Sequence, residues 1–178
     1  PGMYQSALLS TGASVQAAEL IADGHVKVAF NPSGGLHHAS SDHASGFCVF
    51  NDPAIAINAL RKRGLRVAYL DIDAHHGDGV QEAFYHDCDV LTISLHESGK
   101  FLFPGTGEIE EIGIGKGRGY SVNVPLFPFT DDELYISIFE SVVPPIIESF
   151  RPDILVTQLG IDTHFADPLT HLALSSHG

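Results

Sequence analysis

The sequence predicts an α/β protein whose core is a doubly wound, mostly parallel sheet flanked by helices. Three observations carry this reading. Four short runs are β-branched and almost continuously apolar, as strands covered on both faces are. Helical patterns lie between them. Clusters of Asp and His fall where the runs end, and ligands of such sheets bind beyond the carboxyl ends of the strands.

The elements follow in order. Residues 6–22 are rich in Ala and Leu and stop before Asp23 and Gly24, so they read as a helix. The first strand is expected at 26–30, a run of Val, Lys, Val, Ala and Phe. Residues 52–63 form the next helix, with Pro53 in its first turn and Gly64 just past its end, the usual placement of these two residues. The second strand is expected at 67–73, a short helix at 79–86 and the third strand at 90–95. Residues 99–128 hold many Gly, Pro and Phe residues and read as one long functional loop. A helix at 131–150 opens on an acidic turn that suits its dipole, and Pro144 with Pro145 should kink or split it. The fourth strand is expected at 154–159.

Composition narrows the function. The chain has 178 residues, 44% of them hydrophobic and 17% charged, enough apolar surface for a buried core and too much for a disordered chain. The net charge of −13 repels phosphate backbones, so direct nucleic-acid binding is disfavoured, while cationic partners such as lysine-rich tails or polyamines are favoured. Solubility alone accounts for much of that charge. No apolar run approaches the roughly 20 residues of a bilayer span, and no membrane association is expected. Cys48 and Cys88 lack close-paired spacing and read as small buried hydrophobes in a reducing compartment, which places the protein in the cytoplasm, or in the nucleus if the source is eukaryotic. The sequence is silent on oligomeric state.

Eleven histidines are many for this length, and His37, His38, His43, His75 and His76 sit among Asp and Gly. The strongest segment is 71–79, where an apolar strand runs into Asp71, Asp73, His75, His76 and Asp78. Burying so many ionisable groups is costly unless they are paired, and a metal ion is the simplest compensation. Asp73 and His75 are two residues apart, so on an extended chain both side chains point the same way. A lone Asp-x-His is more often a structural ion pair; the nine-residue run reverses that preference. His37 and His38 follow Gly34 and Gly35. Adjacent histidines can act as a general base and acid when each has its own carboxylate, and Asp71 and Asp78 are the candidates. Taken alone, the pair would read as exposed loop histidines. Asp162, after the fourth strand, can be a third ligand or a helix cap. Two carboxylates and one imidazole with an open position describe a catalytic rather than a structural metal site.

These stretches resemble the histone deacetylase superfamily, which includes bacterial acetoin utilization proteins and acetylpolyamine amidohydrolases. The similar segments are residues 33–39, 45–52, 71–79, 103–107, 120–125 and 158–163, in the family's order and spread over nearly all of the chain. The resemblance implies an arginase/deacetylase-like fold and metal-dependent hydrolysis of the acetyl amide of acetyl-lysine in proteins. Asp73, His75 and Asp162 match the ligands of Zn²⁺ (or Fe²⁺), His37 and His38 the tandem catalytic histidines, and Asp71 and Asp78 the carboxylates bonded to them. Gly46, Phe47 and Phe103 match the walls of a narrow acyl-lysine tunnel, in which two facing Phe rings would bury the lysine stem. Asp71, Asp73, His75, Ser94 and Leu95 match a buried K⁺ or Na⁺ site, and Phe84, Asp87, Val90 and Tyr120 a second one. The resemblance also implies a catalytic tyrosine after a Gly-rich stretch downstream of Asp162, and a βα segment with an acidic rim loop ahead of Pro1. Residues 1–178 are therefore expected to be a single deacetylase-like catalytic domain, incomplete at both ends. The alternatives are an acetylpolyamine amidohydrolase, a silent acyl-lysine-binding module, and an arginase-like hydrolase, which would want two metals in an Asp-rich site.

Overall fold

A computed structural model describes residues 2–178. Helix α1 spans Met3–Ala22 and α2 spans Asp52–Lys62. Strand β1 is Val67–Asp71, α3 is Asp78–Phe84, and β2 is Val90–Glu97. Strand β3 is Ser121–Leu126, α4 is Asp132–Phe150, and β4 is Ile154–Gln158. The sheet has four strands in the order β3-β2-β1-β4, with every pairing parallel. Its register sets Asp71 between Ser94 and Gln158, so one end of the sheet collects the chemistry-bearing residues.

Strand β1 lies at the centre because all five of its residues can be buried, and alternate side chains serve opposite layers. Val67 and Tyr69 pack with Ala54, Ile57 and Leu60 of α2, Val80 and Phe84 of α3, and Ala18 of α1. Ala68 and Leu70 pack on the other face with Leu91, Ile93, Leu95, and Tyr135, Val143 and Phe150 of α4. Helices therefore cover both faces, as doubly wound sheets require. Burial of a side chain such as Ile57 stabilises the fold by about 1.5–3 kcal/mol. Helix α2 begins where Asn51 accepts a bond from Ala54 N (3.0 Å), with Pro53 in the first turn.

Four sequence expectations need correction. Residues 26–30 are not a strand. Val28 and Phe30 are 82% and 75% exposed, and a cavity of about 270 Å³ lined by Ile21, Ala29, Phe30, Ile154 and Val156 lies between this segment and β4. Paired strands must approach to about 4.8 Å, which that gap prevents. Strand β4 is not covered on both faces: burial alternates along it, and Leu155 is exposed, because it forms the edge of the sheet. The 99–128 segment is not loop throughout, since β3 lies inside it. Pro125 argues against a central strand, but β3 is an edge strand, where a missing N–H is tolerated. Of the kink or split expected at Pro144 and Pro145, the split does not occur: α4 is one helix through both. Both prolines, and the residues Glu140 and Ser141 whose carbonyls they leave unpaired, lie on the exposed face where water can serve them.

Candidate metal centre

The metal-ligand candidates follow β1 directly. The strand ends at Asp71, and residues 73–75 are a bend rather than the extended chain expected from their spacing. Local bonds shape that bend: Asp73 N donates to Asp71 Oδ1 (3.1 Å) and His75 N to Asp73 Oδ1 (2.8 Å). Asp162 reaches across from the segment after β4, where its Oδ1 accepts from Ala74 N (2.9 Å). One ligand atom from each of Asp73, His75 and Asp162 lies within 4.8 Å of the others. His75 Nδ1 stands 2.7 Å from Asp162 Oδ2 and 3.1 Å from Asp73 Oδ1.

The electrostatics suit a cation at this point. Burial pulls the His75 pKa down, but its bonds to Asp162 and Asp73 prevail and raise it to about 10. Burial alone would raise the Asp73 carboxyl, but its bonds to His75 and Gln158 and the charge of His37 hold it well below the usual carboxylate range. Gly160 completes the cradle, since any Cβ there would collide with the Asp73 carboxylate. Two carboxylates and one imidazole converging on one point are a donor set that fits a zinc-like divalent ion with an open position.

The tandem histidines stand beside these ligands. His37 Nδ1 bonds Asp71 Oδ2 (2.7 Å) and His38 Nδ1 bonds Asp78 Oδ1 (2.7 Å), so each histidine has one of the two carboxylates expected from the sequence. The two rings lie 4.1 Å apart, and His38 meets the His75 ring edge-on at 5.9 Å. Burial lowers the His37 pKa, but the Asp71 charge and bond, with Asp73 and Asp78 behind them, overcome it and lift the group to about 9. Neither histidine is an exposed loop residue; both are buried.

Several supporting residues are not marked for these roles by the sequence. Tyr69 Oη donates to Asp71 Oδ2 (2.7 Å) from inside the core. Gln158 Nε2 donates to Asp73 Oδ2 (2.8 Å) and to Gly35 O (3.1 Å), joining a ligand to the histidine loop. Asn51 Nδ2 donates to His37 O and Ala39 O, both at 3.0 Å, and the Asp52 carboxylate accepts from Gly35 N (3.2 Å) and Leu36 N (2.8 Å). The start of α2 thus clamps the loop that carries His37 and His38. The Asn-Asp-Pro cap is a visible signal for the helix, though not for this second use.

The aromatic wall differs from the expectation. Phe103 lies edge-on to His38 at 5.0 Å and 6.4 Å from the His75 ring. Phe47 does not face it: the ring is 98% exposed and lines a groove with Met3, Leu9, Leu36 and Val49. Gly46 and Phe47 form the tip of the Ser45–Cys48 turn, both with positive φ (51° and 65°), which swings the ring outward. Gly46 itself touches the site, since a Cβ there would strike the His38 ring. Of the residues matched to a monovalent cation, Asp71 and Ser94 are neighbours in the sheet register, Leu95 is fully buried, and Ser94 Oγ bonds His96 Nδ1 (2.9 Å). In the second set, Asp87 is held by Arg61 Nε (3.3 Å), its backbone N donates to Phe84 O, Val90 starts β2, and Tyr120 meets Phe150 edge-on.

A parallel α/β sheet with an Asp-His-Asp cluster and two carboxylate-held histidines at its carboxyl end defines a protein with a candidate catalytic metal site. The chain belongs to the histone deacetylase family, whose histone deacetylase domain matches residues 1–178. It is 47% identical over 173 residues to the acetoin utilization protein AcuC of Bacillus subtilis (strain 168), covering 97% of this chain and 45% of that protein. AcuC of Staphylococcus aureus (strain COL) is 46% identical over 176 residues, covering 98% of this chain and 45% of that protein. Among solved structures, an HDAC homolog complexed with SAHA superposes with a TM-score of 0.90 at 45% identity, over 95% of this chain and 45% of the other. An HDAC homolog from Aquifex aeolicus gives 0.91 at 43% identity, over 97% and 46%. The chain spans less than half the length of these relatives.

Proposed function

We propose that this chain carries the core of a metal-dependent amidohydrolase that removes the acetyl group from acetyl-lysine in proteins. The observation that carries this reading is the convergence of Asp73, His75 and Asp162 on one point beside the carboxylate-held pair His37 and His38. These three residues would hold Zn²⁺ (or Fe²⁺), and such an ion supplies polarisation of the acyl carbonyl and a more acidic water. The Nδ1 of His38 is committed to Asp78, which leaves its Nε2 to take a proton from the attacking water. The same atom then returns the proton to the leaving amine as the amide C–N bond breaks, giving acetate and a free lysine. His37, paired with Asp71, gives electrostatic support, and both Asp residues orient their rings. Phe103, beside both His38 and His75, is placed to cover the apolar stem of an acyl-lysine. Gly46, packed against the His38 ring, would border the same space.

The charge of −13 suits a cationic substrate, an acetylated protein tail or an acetylated polyamine. A K⁺ or Na⁺ ion beside Asp71, Asp73, His75, Ser94 and Leu95 would brace the segment; KCl should then raise the melting temperature above that in choline chloride. The free cysteines Cys48 and Cys88 suit a reducing cytoplasm, which recovery of the protein from a secreted fraction would contradict.

The test is acetate release from an acetyl-lysine peptide by the Zn²⁺-loaded protein, with a hydroxamate control and acetylputrescine as competitor substrate. Hydroxamate-sensitive release from the peptide supports the proposal. Faster release from acetylputrescine would assign a polyamine substrate instead. Tight hydroxamate binding without release from either would identify an acyl-lysine-binding module.

A further inference from the structure

The Phe103 ring stands at the mouth of the site on the long connection between β2 and β3, and the chain on either side of it makes no strand pairing. Its position relative to His38 must come from what anchors that connection. On the N-terminal side, Phe101 N and Leu102 N donate to Ser98 O (2.9 and 3.2 Å), and Ser98 N donates to Leu126 O (2.8 Å). On the C-terminal side the turn at Thr106, Gly107 and Glu108 is held by half-buried Glu111 of the same connection and by buried His96 of β2. We propose that Glu111 and His96 are positioning residues that seat this turn and thereby hold Phe103 against His38. The proposal rests on the reading of Phe103 as a wall of the acyl-lysine channel.

The seating is specific. One oxygen of Glu111, Oε1, accepts from both Gly107 N (3.0 Å) and Glu108 N (3.1 Å). The other, Oε2, accepts from Gln81 Nε2 (2.7 Å), and Gln81 Oε1 accepts in turn from Ser121 Oγ and Asn123 Nδ2, both at 2.7 Å. The turn is thus fastened to α3 and β3 through one carboxylate. His96 is fully buried, and its Nε2 donates to Gly107 O (2.9 Å). Ser94 Oγ donates to His96 Nδ1 (2.9 Å), which fixes the proton on Nε2, where the Gly107 carbonyl requires it. Thr106 Oγ1 lies 2.8 Å from Nδ1 of His76, the residue that follows the ligand His75. Gly107 has φ +90° and lies on the His96 and His76 rings so closely that any Cβ would collide with them. These contacts join the segment that carries the metal ligands to the loop that carries the aromatic wall.

A role in positioning the wall differs from a role in general stability in what it changes. Substrate binding should suffer while the chemical step and the metal remain. The test compares Glu111→Leu, which removes both acceptors, with Glu111→Gln, which keeps an amide oxygen for Gly107 and Glu108; His96→Leu and His96→Gln form the matching pair. In the Zn²⁺-loaded protein, Glu111→Leu should raise KM for an acetyl-lysine peptide about tenfold with kcat within about twofold, and Glu111→Gln should restore KM. An equal fall in kcat, or loss of bound zinc, would overturn the proposal. A second readout does not depend on turnover. The sequence has no tryptophan, so Phe103→Trp places a single reporter in the wall. Adding Glu111→Leu should raise its quenching by acrylamide, and adding Glu111→Gln should not. Identical quenching in both would overturn the proposal whatever the activity. A wild-type protein without turnover would count against the proposed function and leave the quenching result to decide this inference.

Discussion

The metal corner and the aromatic rim are neighbours, with the His75 and Phe103 rings 6.4 Å apart, yet they are built in different ways. Asp71 ends a fully buried central strand and Asp73 follows it, and each carboxylate has local partners and one from a distant segment, His37 for Asp71 and Gln158 for Asp73. Phe103 is half exposed on a loop, and Phe47 sits at the tip of a turn with its ring in solvent. Charged groups can be buried only where partners are fixed, so the chemistry of the corner dictates its own rigidity. Apolar rings carry no such requirement, and their placement depends on distant anchors such as Glu111 and His96. The comparison predicts that substitutions in the corner abolish function and that those in the rim adjust it.

The largest effect should come from Asp73→Asn. Zinc affinity, measured by competition with a chromogenic chelator, should fall by more than the roughly 10–100-fold expected for a change outside the ligand set. His38→Ala should lower turnover of an acetyl-lysine peptide by about 10²–10⁴ with zinc affinity unchanged. A parallel loss of zinc would make His38 a structural part of the corner instead. In the core beneath, Ile57→Ala should lower stability by about 2–5 kcal/mol in urea unfolding. At the rim, Phe47→Ala should change it by no more than about 0.5 kcal/mol, because that ring is 98% exposed. A large loss from Phe47→Ala would show that the rim is as rigid as the corner.

A further effect is one of pH. Burial, with His76 close by, lowers the His96 pKa to about 3. The folded protein keeps this ring neutral below pH 6.5, where the unfolded chain takes up a proton. The neutral ring therefore adds no instability above pH 6.5, and stability is lost as pH falls from 6.5 towards 3. Relative to wild type, His96→Gln should flatten the stability profile in that window by up to about 1.4 kcal/mol per pH unit. Parallel profiles would mean that His96 is not held neutral by the fold.

Legibility in the sequence follows the same division. Strands β1 and β2 are evident because burial on both faces demands unbroken apolar runs. The Asp-His cluster after β1 is evident because five ionisable groups at the end of a buried strand need a compensating charge. Strand β3 is hidden by Pro125 and by the glycines before it, since edge position is a property of the sheet and not of the segment. Residues 26–30 have the composition of a strand, but pairing needs a neighbour at the right distance, and the cavity beside β4 removes it. Tyr69 reads as a core residue because nothing local shows that its hydroxyl meets Asp71. Gln158 and Glu111 stay hidden for a similar reason: their partners Asp73 and Gln81 are 85 and 30 residues away. The Phe47 ring is misplaced by the sequence because a turn with two positive φ values cannot be read from a Gly-Phe pair alone.

The central claim is that Asp73, His75 and Asp162 form one metal site, and a zinc titration of the wild-type protein beside Asp73→Asn, His75→Ala and Asp162→Asn tests it most directly. One equivalent of tight binding in the wild type, lost in each of the three variants, is the predicted result. Full retention of that equivalent in any one of them would contradict the claim.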